Sequence, residues 1–108
     1  MNLQEWLSRV GRDLRQAENS SDSALVDSLL LPHIREGLQH LQDAGAVDDS
    51  VVEDFFNYLG RMNEDYGFGF RLFPFLSKIL RDLAVHKSDN QELLRTAMEV
   101  DRVEAVAG

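Results

Sequence analysis

Apolar residues recur at intervals of three and four positions along most of this 108-residue chain, and no segment alternates apolar with polar residues. This spacing places apolar side chains on one face of an α-helix, whereas a half-buried strand requires alternation. The first stripe runs from Leu3 to Ala17, and Asn2 with Glu5 has the spacing of a helix-capping box. The sequence therefore predicts an all-α fold that begins with a helix over residues 3–17.

A second apolar stripe starts near Ser21 or Asp22 and is interrupted by Pro32. Because proline lacks a backbone N–H and disfavours helical geometry in the residue before it, Pro32 either kinks one helix or separates two. Gly45 stands where a left-handed C-terminal cap would end this part of the chain. Whether one helix or two precede Gly45 stays open on the sequence alone.

A third helix is predicted to follow the capping box formed by Ser50 and Glu53. Its buried stripe ends near Met62, and Glu53 and Asn57 fall on the opposite, polar side. The segment 66–70 then alternates aromatic residues with glycine. Because each glycine costs a helix about 1 kcal/mol relative to alanine, we expect a loop there.

Two helices complete the predicted bundle. Pro74 fits the first turn of one, which continues to about His86, and Ser88 with Gln91 caps the last. We therefore predict a single domain, residues 1–108, built as a compact bundle of five short helices, or six if the second is divided. Its tail, from about residue 103, is expected to fray.

Composition excludes several classes of function. The chain has no cysteine, which rules out disulfides, thiolate metal sites and cysteine nucleophiles. With nineteen acidic residues against eleven basic ones, it lacks the clustered Lys and Arg that bind nucleic acid or anionic membranes. The start of the chain shows no signal-peptide pattern, and its longest apolar run is too short to span a bilayer. We expect a cytoplasmic protein without a cofactor.

The negative charge is concentrated in one stretch. Residues 42–66 hold seven acids against the single base Arg61, a net charge of −6 out of −8 for the whole chain. Eight of the nine aromatic residues fall in the overlapping segment 55–75. We predict that part of this region forms an outward-facing acidic–aromatic surface that binds a basic protein. Its residues are Glu53, Asp54, Tyr58, Arg61, Glu64, Asp65, Tyr66 and Phe68.

The sequence favours a small protein-binding module, of the inhibitor, immunity-protein or adaptor type, that captures its basic partner through this surface. The alternatives are a self-associating scaffold, in which Phe68 and Phe70 pack against a second copy, and a helical chaperone subunit. A homo-oligomer is therefore compatible with the sequence. In each case we expect no enzyme activity and no direct nucleic-acid or membrane partner.

Three polar residues of the second helix have the spacing of a metal site. His33, Glu36 and His40 are three and four positions apart, so they share one helical face. Their order matches neither H-E-x-x-H nor the E-x-x-H of di-iron bundles, and no second motif completes a site. We therefore predict no metal and place these residues on a solvated rim. Because no G-x-S-x-G elbow, P-loop or dinucleotide fingerprint occurs, no catalytic residue is predicted either.

The tripeptide Asp27-Ser28-Leu29 resembles the D-S-L motif at which carrier proteins attach phosphopantetheine, and those proteins are also small, acidic and helical. The resemblance covers three residues and implies that Ser28 would be the attachment point. It departs from the family in two respects. Only a short segment separates the motif from the first helix, whereas carriers have a long loop there, and Pro32 interrupts the helix that should follow.

Overall fold

The computed structural model of the chain describes residues 2–45, 53, 57, 72–88 and 90–107. Within these ranges the backbone forms four α-helices and no strand: α1 Leu3–Glu18, α2 Ser23–Asp43, α3 Leu72–His86 and α4 Asn90–Ala107. The all-α prediction is confirmed, whereas the described residues hold four helices rather than the five or six predicted. The predicted third helix lies outside the described residues except for Glu53 and Asn57, which are both helical.

The helix α1 forms as its stripe and cap predict. The Asn2 side chain accepts a hydrogen bond from the backbone N–H of Glu5 (2.8 Å) and donates one to the Glu5 carboxylate (3.1 Å). The two residues therefore satisfy polar groups at the helix start, as in a capping box. The helix ends at Glu18, one residue later than predicted. Its buried face comprises Trp6, Leu7, Val10, Leu14 and Ala17.

The helix α2 is continuous, although Pro32 lies inside it. Pro32 is exposed, and one buried stripe continues on both sides of it, comprising Val26, Leu30, Ile34, Leu38 and Leu41. Burying each such side chain stabilises the fold by about 1.5–3 kcal/mol, so the stripe outweighs the cost of about 3 kcal/mol for proline in a helix. Of the two alternatives, separation into two helices is therefore wrong. Gly45 follows the helix with φ +70°, the predicted left-handed conformation.

The helix α3 carries Pro74 in its first turn, as predicted. There the missing N–H of proline does no harm, because the first turn of a helix has no internal acceptor for it. The large apolar side chains that α3 buries are Leu72, Phe73, Leu76, Ile79, Leu80 and Leu83. They include Leu76, Ile79, Leu80 and Leu83, whose spacing in the sequence predicts the core face of this helix.

The helix α4 exposes two of its large apolar side chains. Leu94 is 42% exposed and Met98 is 66% exposed. The helix also continues to Ala107, and Val103 is fully buried, so the fraying expected from about residue 103 is not seen. Burial of Val103 gives this last part of the chain a packing contact that a frayed tail would lack.

The four described helices form a ring in which α1 packs on α2 and α4, and α3 packs on the same two. Their buried side chains belong to one hydrophobic cluster. The helices α2, α3 and α1 approach one another closely at Gly37. A Cβ atom on this residue would lie 2.7 Å from Cγ2 of Ile79 and 2.9 Å from Cζ2 of Trp6. A residue without a side chain is therefore needed where the three helices meet.

The helices α1 and α4 lie side by side and run in the same direction. Near the start of each, the Gln4 side chain donates a hydrogen bond to the Glu92 carboxylate (3.0 Å). Glu18, the last residue of α1, pairs with Arg102, five residues before the end of α4. Two polar contacts thus join the first and last of the described helices.

Candidate functional site

The structure describes one member of the predicted acidic–aromatic surface. Glu53 is helical and exposed, and so is Asn57 one turn further along. Two exposed residues four positions apart agree with the polar side assigned to this segment. The other members lie outside the described residues, namely Asp54, Tyr58, Arg61, Glu64, Asp65, Tyr66 and Phe68.

Arg102 of α4 holds carboxylates from two helices. Its two terminal nitrogens donate to the two oxygens of Glu18 in α1 (2.7 and 2.9 Å), and its Nε donates to Glu99 (3.2 Å). These hydrogen bonds lower the pKa of Glu18 and of Glu99 and raise the pKa of Arg102. Both acids are therefore ionised at neutral pH, and the bidentate contact fixes the end of α1 against α4.

Two further ion pairs lie on the surface of the described helices. Arg81 of α3 donates to Asp101 of α4 (2.8 Å), and Lys78 pairs with Asp82 one turn further along α3 (3.0 Å). Each such exposed pair contributes little to stability, at most about 1 kcal/mol. Their charges nevertheless offset one another locally. By residue count, the excess negative charge of the chain lies mainly in residues 42–66.

A buried polar contact between α1 and α2 is not apparent from the sequence. Nε2 of His33 lies 2.6 Å from a carboxylate oxygen of Asp13, and the two side chains are only 7% and 15% exposed. The backbone carbonyl of His33 accepts a hydrogen bond from the indole N–H of Trp6 (3.2 Å). These bonds satisfy polar groups inside the protein and hold α1 on α2. The predicted solvated rim is thus wrong for His33.

One signal in the sequence could have identified the buried histidine. His33 continues the spacing of three and four that links Leu30 to Gly37, which are both buried. Its partner Asp13 has no comparable signal, because it lies beside the apolar stripe of α1 and not on it. Only the three-dimensional arrangement brings the two together.

His40 lies two turns further along α2 and packs on the same indole. Its ring centroid is 5.3 Å from that of Trp6, with 48° between the ring planes. Among the described residues, its Nε2 has no hydrogen-bond partner. A carboxylate oxygen of Glu36 is 3.6 Å away, beyond hydrogen-bonding distance. Burial lowers the pKa of His40, and the negative charge of Glu36 offsets this effect only in part.

The face shared by His33, Glu36 and His40 is therefore used for packing against α1. His33 contacts Asp13, and His40 contacts Trp6. In the part of the chain that the structure describes, no group of three His, Cys, Asp or Glu side chains could hold a metal ion.

Ser28, the residue that the carrier resemblance implies as a modification site, lies in the second turn of α2 and is exposed. Its hydroxyl donates a hydrogen bond to the carbonyl of Leu25 (2.7 Å). Serine commonly makes this bond within a helix, so the contact needs no special function. Modification of Ser28 stays a prediction, and treatment with a phosphopantetheinyl transferase would test it.

None of the described helices is both long enough and apolar enough to cross a membrane. Comparison of the chain with protein-family models, curated proteins and solved structures gave no match. Its function must therefore be inferred from its own residues.

Proposed function

We propose that this chain is a small acidic protein-binding module, of the inhibitor, immunity-protein or adaptor type, that captures a basic protein. The observation that carries the proposal is the uneven placement of charge. Residues 42–66 hold a net charge of −6, whereas the rest of the chain has twelve acids and ten bases. Binding, and not catalysis, is the activity proposed for the acidic–aromatic surface.

The ion pairs of the described helices support this assignment. Arg102, Arg81 and Lys78 are all engaged with acids of their own or a neighbouring helix. These three cations can therefore form ion pairs with the acids of residues 42–66 only if their existing ion pairs break. A region with a net charge of −6 attracts basic partners over a distance and raises their association rate by about 10–1000-fold, an effect that salt weakens.

The aromatic members of the surface would supply the short-range contacts. Carboxylates alone attract many basic proteins, because charge acts at a distance and carries little shape information. Tyr58, Tyr66 and Phe68 would add apolar area that is desolvated only by a partner of matching shape. The carboxylates thus raise the association rate, and the aromatic side chains provide selectivity among basic partners.

The proposal is tested by neutralising four acids of the surface together. The variant carries Glu53→Gln, Asp54→Asn, Glu64→Gln and Asp65→Asn. Immobilised wild-type chain is expected to capture a basic protein from a lysate of the native host, which mass spectrometry identifies. That protein should bind the variant about tenfold more weakly at low salt, chiefly through slower association. Unchanged binding, with the far-ultraviolet circular dichroism also unchanged, would refute the proposal.

A matched control removes the same number of charges from the described helices. It carries Glu5→Gln, Asp82→Asn, Glu92→Gln and Glu104→Gln. Because the proposed attraction comes from the local field of the surface and not from net charge, the control should bind within about twofold of the wild type. Equal losses in both variants would show that net charge alone governs binding, and a localised surface would then be rejected.

A self-associating scaffold is the second candidate, and three exposed apolar side chains favour it. Val85, Leu94 and Met98 are 80%, 42% and 66% exposed. Exposed apolar side chains are common when they occur singly, so the observation is weaker than the charge distribution. Sedimentation decides between the candidates: a dimer that Met98→Lys dissociates supports self-association, whereas a monomer at all concentrations excludes it.

A further inference from the structure

The surroundings of His40 disfavour a charged side chain. Its side chain is 13% exposed and packs on the ring of Trp6. Within the described part of the chain, no group accepts or donates a hydrogen bond at its Nε2. A protonated imidazole carries two N–H donors, and a buried donor without a partner is costly. The neutral ring therefore fits this site better than the charged ring.

Charged groups on several elements act on this ring in opposite directions. On α2 itself, Glu36 and Asp43 favour the protonated form. Lys87, which follows α3, and the amino terminus, which precedes α1, oppose it, while α1 contributes the uncharged indole of Trp6. Burial outweighs the two carboxylates, so folding lowers the pKa of His40.

We propose that the contact between α1 and α2 is an acid-sensitive latch that protonation of His40 loosens. The charged ring is drawn towards solvent and towards the Glu36 carboxylate, 3.6 Å from its Nε2, and this movement weakens its packing on Trp6. In the unfolded chain His40 is solvated, so it takes up its proton at a higher pH than in the folded protein. The stabilisation is complete above the unfolded pKa of about 6.5 and falls below it, until the folded ring is also protonated.

A second polar contact joins the same two helices. Nε2 of His33 lies 2.6 Å from the Asp13 carboxylate, and Nε of Arg12 lies 3.3 Å from that carboxylate. The Asp13–His33 contact holds the middle of α1 on α2, while the contact at Trp6, nearer the start of α1, loosens. A local change at Trp6 is expected before any loss of helix.

Trp6 is the only tryptophan of the sequence, so its fluorescence reports this contact directly. Titration of the wild type from about pH 8 to about pH 5 should give a sigmoidal change with its midpoint below about 6.5. The change should be absent from His40→Phe, which keeps a ring that cannot ionise, and from His40→Gln. The control His86→Gln, at the exposed end of α3, should retain it. A wild type without the change, or variants at position 40 that keep it, would overturn the proposal.

Urea unfolding at about pH 7.5 and about pH 5.5 gives an independent measurement. The folding equilibrium constant of the wild type should fall more between the two pH values than those of His40→Phe and His40→Gln. The expected excess is up to tenfold for each unit by which folding lowers the pKa of His40. Because each protein is compared with itself at two pH values, any constant cost of the substitution cancels. Equal losses in all three proteins would overturn the latch.

Discussion

Replacement of glycine by alanine is expected to have opposite effects on stability at Gly11 and at Gly37, and this difference tests the helix packing. Both glycines lie inside helices, so replacement by alanine favours the helical backbone by about 1 kcal/mol. At Gly11 an added Cβ would have nothing within 4 Å. Gly11→Ala is therefore expected to stabilise the protein by about 0.5–1 kcal/mol.

At Gly37 the same methyl group meets two neighbours. It would lie 2.7 Å from Cγ2 of Ile79 and 2.9 Å from Cζ2 of Trp6, well inside the ordinary carbon–carbon contact of about 3.5–4.0 Å. The indole is held by its hydrogen bond to the His33 carbonyl, so it cannot simply move aside. Overpacking of this kind costs about 1–3 kcal/mol. After the backbone gain is subtracted, Gly37→Ala should destabilise the protein by about 1 kcal/mol.

The two variants should therefore differ by about 2 kcal/mol, or about 10 °C in Tm for a domain of this size. Thermal and urea unfolding, followed by circular dichroism at neutral pH, would measure the difference. Gly11→Ala serves as the matched control, because it changes the same atoms in a helix without close neighbours. If Gly37→Ala proved as stable as Gly11→Ala, the three helices would not meet as closely at Gly37 as the structure has them.

Two further substitutions test features of α2 and α4. Pro32→Ala restores a backbone N–H that can donate a hydrogen bond to the Ser28 carbonyl. The substitution should therefore raise the free energy of unfolding, measured in urea titrations, by about 1–2 kcal/mol. A loss of stability would show that the packing of α2 requires the backbone geometry of proline. Arg102→Gln removes the partner that lowers the pKa of Glu18 and Glu99. Because acids with a lowered pKa stabilise the fold only while ionised, the variant should be less stable than the wild type at about pH 7 and nearly equal to it at about pH 2–3. A deficit independent of pH would contradict this account.

The sequence predicts α1 and α3 well because local rules and tertiary packing agree there. The stripe of α1 and its Asn2 cap lie within one short segment, and no other element has to be known to find them. Pro32 was harder to judge, since the cost of proline is local while the compensating burial is spread over five side chains before and after it. A rule based on Pro32 alone therefore overestimates its tendency to end the helix, because it omits the burial of the apolar side chains on both sides.

The partners of the polar residues could not be predicted for a different reason. Asp13 and His33 are twenty positions apart, and their contact depends on how α1 crosses α2. The exposure of Leu94 and Met98 also depends on neighbours, because a helix buries only the side that its partners cover. For the acidic–aromatic surface, the sequence supplies the charge and the rings, and the structure adds the exposure of Glu53.

The contact between α1 and α4 has a consequence for how the protein folds during its synthesis. The contacts Gln4–Glu92 and Glu18–Arg102 join residues 88 and 84 positions apart. At a ribosomal rate of about 5–20 residues per second, α1 emerges several seconds before α4, against which it packs in the folded protein. During that interval it can associate with α2, but the nascent chain cannot close its ring. The ring of the four described helices therefore closes only after α4 has left the ribosome.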